Sequence, residues 1–213
     1  KMIIIVDNFY PNPDEVREKA LKEFFFPGNK GKKNLFPGKR TNGAKIENWL
    51  YLKNRYETIL NRKIVDFPTN NSNTAFTLGL EETNLQGKPH LNWVHHDNSQ
   101  LSEIKEKESG GTGWASVCYL SPNAKADHGT GLFRAKNNNS VFKTKEMRIA
   151  PQSGFKEFWK PDGIFDLHTY AANIYNRLIM YPANYWHAPF NAGWGHDKKS
   201  GRLVQVCFFT TEK

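Results

Sequence analysis

Seven histidines, His90, His95, His96, His128, His168, His187 and His196, are the side chains of this 213-residue chain best suited to hold a metal or move a proton. Only His95 is followed two places later by an acid, Asp97. On a strand, residues i and i+2 face one side with Cα atoms about 6.5 to 7 Å apart, so an imidazole and a carboxylate there can close on one cation. A lone H-x-D tripeptide carries little weight in a chain this rich in histidine; its meaning comes from its surroundings. In the C-terminal third the strand-like run NRLIMYP leads to Tyr185-Trp186-His187, and a Gly-rich loop then leads to GRLVQV, an order that reads as a hairpin. His187 delivered beside the His95–Asp97 strand would complete two histidines and one carboxylate, the facial set that holds non-haem Fe(II) and leaves coordination positions open. Arg202 follows His187 by 15 residues and opens a strand with Val204, Val206 and Phe208 on its own face. A guanidinium among apolar residues needs an anion, and a carboxylate gripped through both oxygens is its best geometric match.

The remaining histidines read differently. His96 lies between the two proposed ligands and points to the opposite face of the strand, which makes it structural or surface. His168 sits in the strand-like stretch from Leu167 and competes with His187 for the third ligand position; His187 is preferred because Arg202 lies at a workable distance from it. His90, His128 and His196 adjoin Gly, Pro or Asp in loops and read as solvated. The tryptophans Trp49, Trp93, Trp114, Trp159, Trp186 and Trp194 read as core or rim residues, with Trp186 and Trp194 the two best placed to touch a substrate.

These side chains need a scaffold, and the pattern of the chain describes one. Ile3 to Val6 reads as a strand. Asn12 then caps a helix with Pro13 in its first turn and Asp14 and Glu15 at the positive end of its dipole, and an apolar stripe through Val16, Ala20 and Phe24 carries it to about Phe25. From Pro27 to Gly43 the glycines, prolines and basic residues, with no acid among them, read as an exposed loop. A second helix is expected from Lys45 to about Asn61, with Ile46, Trp49, Leu50, Tyr56 and Leu60 mostly on one face. Beyond Asp66 the period shortens. Ala75 to Leu80, Leu91 to His95, Trp114 to Leu120, Gly131 to Arg134, Leu167 to Asn173, Arg177 to Tyr181 and Leu203 to Thr210 read as short strands separated by turn residues. Lys105 to Gly113 and Asn123 to Gly129 read as loops. Many short strands without interleaved helices argue for a sandwich or barrel, so the expected class is α+β, mainly β, with N-terminal helices packed outside one β-core. No repeat or boundary divides the chain, which reads as a single domain over 1–213, with 1–66 as helical support and 67–213 as the β-core.

Composition narrows the function classes. A chain with 38% apolar and 14% aromatic residues folds rather than remaining disordered. No run approaches the ~18 apolar residues of a membrane helix, and the apolar run Ile3 to Val6 is cut off by Asp7, so membrane and secreted readings are disfavoured. The two cysteines, Cys118 and Cys207, each lie in an apolar run and read as buried free thiols of a cytoplasmic protein rather than as a disulfide. A net charge of +9 attracts anionic ligands and leaves nucleic acid open as a partner, with Phe36 interleaved in the basic stretch Lys30 to Arg40 to meet a base. No RNP, zinc-finger or Walker signature accompanies it.

The order and spacing of these pieces from about Leu91 to Phe209 resemble the iron(II)- and 2-oxoglutarate-dependent oxygenases, near their prolyl-4-hydroxylase-like branch. The likeness rests on His95-His96-Asp97, on GWASVCYLSP followed by GTGLFR, on NRLIMYP before YWHA, and on GRLVQVCFF. It implies a double-stranded β-helix (jelly-roll) core, with His95, Asp97 and His187 as catalytic iron ligands and Arg202 as partner of the distal carboxylate of 2-oxoglutarate. Tyr119 resembles the strand tyrosine that adds a hydrogen bond to that carboxylate. Some relatives place Ser or Thr two residues after the arginine, where this chain has Val204; halogenating relatives lack the carboxylate ligand, which Asp97 supplies here. The implied activity is therefore a dioxygenase that hydroxylates a small-molecule, peptide or nucleobase substrate and releases succinate and CO₂, with ascorbate as reductant. The alternative is a non-catalytic β-helix that uses its basic face to bind nucleic acid or another anion. A cupin-like metal hydrolase or isomerase would share the metal but not the need for Arg202 or O₂.

Overall fold

The computed structural model describes residues 3–27, 38–43, 49–68, 73–81, 94–97, 112–142, 165–190 and 192–213. Strand β1 (Ile4–Val6) precedes helix α1 (Pro13–Lys22), and the short strands β2 (Phe26–Pro27) and β3 (Lys39–Arg40) precede helix α2 (Trp49–Leu60). Then come β4 (Ile64–Asp66), β5 (Phe76–Gly79), β6 (Thr112–Tyr119), β7 (Thr130–Ala135), β8 (Phe165–Ala171), β9 (Leu178–Pro182), β10 (His187–Pro189) and β11 (Arg202–Thr211). The protein is mainly β, with two antiparallel sheets and two helices among the described residues.

The larger sheet runs β1-β9-β6-β11-β5-β3-β2, with β4 added to the far end of β11, and the smaller runs β10-β7-β8. The chain alternates between them: β6 lies in the large sheet, β7 and β8 in the small, β9 in the large, β10 in the small and β11 in the large. This corrects the hairpin reading of the C-terminal third, because β9, β10 and β11 are consecutive but never pair in that order. Each crossing carries the chain over the space between the sheets, and that space is where His187 is delivered.

β9 and β11 are buried along their whole length. A strand covered on both faces is apolar throughout rather than alternating, which is why LIMYP and the run ending FF show no period. One face of β11 (Val204, Val206, Phe208) joins Tyr119, Ile179 and Tyr181 of the large sheet and Leu132 of β7 in the core between the sheets. The other face (Leu203, Cys207, Phe209) packs on the helices, where Tyr56 of α2 stacks on Phe209 at 4.8 Å and its hydroxyl meets Ser116 Oγ at 3.0 Å. Cys118 and Cys207 are free and buried, as their apolar settings indicate.

Several expectations change at the edges of elements. The Asn12 side chain makes no capping bond, and α1 ends at Lys22, three residues short of Phe25, because the chain turns extended at Glu23 to pair β2 with β3. In α2 the inward residues are Leu52 and Tyr56, whereas Leu50 is 55% exposed. Ile46 and the loop residues 105–111 lie outside the described residues, while Thr112 and Gly113 belong to β6 rather than to that loop. The 123–129 loop contains a 3₁₀ turn, Ala126–His128. The Pro27 to Gly43 segment is not an exposed loop throughout: Lys39 and Arg40 form a strand against β5. No helix among the described residues is long and apolar enough to cross a membrane.

Candidate metal centre and cosubstrate cavity

His187 opens β10 and sits opposite Leu132 of β7. The segment carrying His95 lies against the other edge of β10: His95 N–H donates to the His187 carbonyl at 2.9 Å, and His187 N–H donates back at 2.8 Å. Asp97 N–H donates to the Ala183 carbonyl at 2.7 Å. The main chain of the His95–Asp97 segment is thus bonded to the connection between β9 and β10, and the side chains converge as a result. One ligand atom from each of His95, Asp97 and His187 lies within 4.8 Å of the other two. Asp97 Oδ2 is 3.1 Å from His187 Nε2 and Asp97 Oδ1 is 3.8 Å from His95 Nε2, and the two imidazole centroids are 4.2 Å apart.

The orientation of His187 follows from its other nitrogen. Nδ1 lies 3.0 Å from the Tyr185 carbonyl, and a carbonyl only accepts, so Nδ1 carries the hydrogen and Nε2 is directed at Asp97. Burial pushes the His187 pKa down, but the Asp97 charge, its hydrogen bond and the Tyr185 carbonyl together lift it above the usual 6.5. Asp97 feels the same pair from the other side: burial opposes its charge, yet His187, His95 and Arg40 hold its carboxyl down at about 2. Exposure grades across the three, with the His187 side chain at 6%, Asp97 at 15% and His95 at 38%, so the cluster opens to solvent on the His95 side.

These three residues line a cavity of about 100 Å³ together with Arg202, Thr77 and Arg40. Arg202, at the start of β11, is 5% exposed, and its Nε has no hydrogen-bond partner among the described residues. Burial lowers its pKa, opposed by the Tyr119 and Tyr181 hydroxyls. A buried cation left in this way is costly unless an anion joins it. Tyr119 is fully buried in β6, and its hydroxyl bonds Thr130 Oγ1 at 2.7 Å; burial raises its pKa to about 12. Thr130, rather than Tyr119, is the member of that pair on the cavity wall.

The other candidates fall outside the cluster. His168 is exposed on β8 and meets Arg134 Nη2 at 2.9 Å. His96 faces away and packs edge-on against Trp186 at 5.3 Å, which places that fully buried tryptophan in the core behind the cluster. His196 is exposed and paired with Glu81 at 3.1 Å, and His128 is half-buried against Trp194 at 5.0 Å. His90, Trp93, Trp159 and residues 28–37 of the basic stretch lie outside the described residues. Several cavity residues were not singled out in the sequence as site residues, among them Arg40, Thr77, Ser116, Thr130 and Tyr181. Only Arg40 left a trace, as the last basic residue of a stretch taken to be loop.

A family model matches the chain over residues 1–209; its description is a family of unknown function, DUF6445. The chain belongs to DUF6445. No curated protein matches this DUF6445 chain. Among solved structures it is similar to a prolyl hydroxylase from Trichoplax adhaerens in complex with a hypoxia-inducible-factor oxygen-degradation-domain peptide fragment, at 16% identity and a TM-score of 0.53, over 99% of this chain and 83% of that one. It is similar as well to HygX from Streptomyces hygroscopicus with nickel and 2-oxoglutarate bound, at 11% identity and a TM-score of 0.53, over 99% and 83%. A third is SnoN, a non-heme α-ketoglutarate-dependent epimerase from nogalamycin biosynthesis, at 10% identity and a TM-score of 0.53, over 99% and 78%. At such identities what is shared is the fold.

Proposed function

We propose that this DUF6445 chain is an Fe(II)- and 2-oxoglutarate-dependent dioxygenase that hydroxylates a small-molecule, peptide or nucleobase substrate. The single observation that carries the reading is that one cavity wall holds both a His-Asp-His cluster and a buried arginine whose Nε has no partner among the described residues. A metal site alone would need no such arginine, and an anion site alone would need no such cluster. The alternation of β6 to β11 between two sheets supports a double-stranded β-helix core, with residues 1–213 as one domain buttressed by its first 66.

The residues fit the groups they would hold. Two neutral imidazoles and one carboxylate suit a divalent first-row metal with open positions, and Asp97 stays ionised across the physiological range. Arg202 suits the distal carboxylate of 2-oxoglutarate, which would satisfy the Nε left without a partner among the described residues. Tyr119, through Thr130, supports that end of the cavity: Thr130 can give its hydroxyl hydrogen to the carboxylate while it accepts one from Tyr119. When bound, iron and 2-oxoglutarate supply O₂ activation and C–H hydroxylation, with 2-oxoglutarate converted to succinate and CO₂. The protein contributes placement. His187 is kept in the tautomer that offers Nε2 by the Tyr185 carbonyl, Asp97 anchors both histidines, and Val204, Val206 and Phe208 keep water from the inner wall.

Incubation with Fe(II), ascorbate and 2-oxoglutarate should yield succinate slowly without any second substrate, and Asp97→Ala and Arg202→Ala should each abolish it. A wild-type protein that neither forms succinate nor binds 2-oxoglutarate would defeat the reading in favour of a non-catalytic anion-binding β-helix. Metal-dependent activity indifferent to Arg202 and O₂ would point instead to a hydrolase or isomerase.

A further inference from the structure

Arg202 stands between two strands that each carry a hydroxyl toward it. On β11 it shares a face with Val204, and Val204 is directly opposite Tyr119 on β6 and Thr77 on β5. Residues directly opposite on antiparallel strands share a face, so Tyr119 and Thr77 are the diagonal neighbours of Arg202, one on each side at about 7 to 8 Å. The residue directly opposite Arg202 on β5 is Gly79, and the Ala192 carbonyl occupies the place where a side chain there would project. Thr77 is therefore the nearest β5 side chain to Arg202 on that face. The two hydroxyls differ in their bonding. Tyr119 is engaged with Thr130 Oγ1 at 2.7 Å and stands behind the cavity wall, whereas Thr77 is buried on the wall itself. Its Oγ1 has no hydrogen-bond partner among the described residues, a condition in which buried hydroxyls are seldom left.

Arg202 Nε and Thr77 Oγ1 thus share one cavity and one deficiency. Nε–H can only donate, and the Thr77 oxygen does not accept from it, so neither group completes the other. An acceptor lodged between them completes both. A carboxylate has two oxygens with about four acceptor sites, enough for the guanidinium, the Thr77 hydroxyl and the Thr130 hydroxyl together. We propose that Thr77 gives its hydroxyl hydrogen to the carboxylate that Arg202 grips, so that β5 as well as β11 reads the distal end of 2-oxoglutarate. The inference rests on the oxygenase reading and adds to it a specificity residue for the cosubstrate. Because Thr77 meets only the distal end, it selects for keto acids that have a second carboxylate.

The test uses the full chain loaded with Mn(II), whose enhancement of water-proton relaxation falls as a keto acid displaces metal-bound water. The probes are 2-oxoglutarate and 2-oxopentanoate, which has the same chain and keto-acid end but a methyl group in place of the distal carboxylate. Thr77→Val should weaken 2-oxoglutarate about tenfold or more, as loss of a hydrogen bond to a charged group requires, and leave 2-oxopentanoate within about twofold of wild type. Thr77→Ser, which keeps a hydroxyl, should recover most of the 2-oxoglutarate affinity. The metal-free Thr77→Val protein should melt at or above the wild-type temperature, because the change removes a buried hydroxyl that has no partner; a threonine whose hydroxyl serves the fold would melt lower, and that result overturns the proposal. A Thr77→Val variant that binds 2-oxoglutarate as tightly as wild type overturns it as well. So does one that loses both keto acids equally, which would mean a general distortion of the cavity. A wild type in which neither keto acid changes the relaxation overturns the oxygenase reading itself, a failure distinct from that of Thr77 alone.

Discussion

Replacing Arg202 by methionine should strengthen the metal-free protein and weaken its hold on 2-oxoglutarate at the same time. Arg202 is 5% exposed, its Nε is unpartnered among the described residues, and its pKa is pushed down by burial, with the Tyr119 and Tyr181 hydroxyls acting against that shift. Exchange of buried ionic groups for apolar side chains of similar length commonly stabilises by about 1 to 4 kcal/mol. For a chain of this size each kcal/mol moves the melting temperature by roughly 2 to 4 °C, so a rise of several degrees is expected. On the binding side, loss of one partner from a buried, hydrogen-bonded charge pair costs about 2 to 5 kcal/mol, which is roughly a 30- to 5,000-fold weaker Kd. The assays are thermal unfolding of the metal-free proteins and anaerobic calorimetric titration of the Mn(II)-loaded proteins with 2-oxoglutarate. A methionine variant that melts lower than wild type and binds 2-oxoglutarate equally well would refute the argument, because Arg202 would then be a satisfied structural residue.

The pH dependence should run in opposite directions for stability and for metal. His187 has a raised folded-state pKa, so the stability from its charged pair with Asp97 is full below about 6.5 and fades as pH rises through the higher folded value; Asp97, held at about 2, adds stability that is full above its ordinary 3.8 and is lost as pH falls from there through about 2. Metal binding must displace the His187 proton, so Mn(II) affinity should rise across neutral pH with proton release, visible as a buffer-dependent enthalpy in calorimetry. Tyr119→Phe removes the 2.7 Å bond to Thr130 and should cost about 1 kcal/mol in urea unfolding, with less than about a tenfold loss of 2-oxoglutarate affinity because Arg202 remains. Trp186→Ala, emptying a fully buried site between His96 and Phe165, should cost about 3 to 5 kcal/mol by the same unfolding measurement.

The parts of the site that could be read in the sequence are those where chemistry interrupts a pattern. Arg202 stands out because Val204, Val206 and Phe208 follow it on its strand face, and His95 and Asp97 because they form an H-x-D tripeptide. The strand expected from Leu91 to His95 is not what aligns them: residues 91–93 lie outside the described residues, and 94–97 make a single bridge at His95. Thr77 hides because threonine is an ordinary strand residue, and nothing local shows that its hydroxyl finds no partner among the described residues. Arg40 hides because β3 is two residues long, too short to display any period, and is held by pairing with β5 rather than by its own propensity. The same length argument covers β2 and β4, neither of which was expected as a strand. The passage of β9, β10 and β11 between sheets was illegible for a different reason. Strands buried on both faces look alike whichever sheet they join, and the choice is made by partners far away in the chain.

The paired hydrogen bonds between the peptides of His95 and His187 bear on how the protein is made. The two residues stand at positions 95 and 187, so this latch closes only after most of the chain has been synthesised and β10 has docked on β7. A nascent or partly unfolded molecule therefore does not bring the three side chains together, so a metal held at the proposed site would be taken up only by molecules whose sheets have already come together.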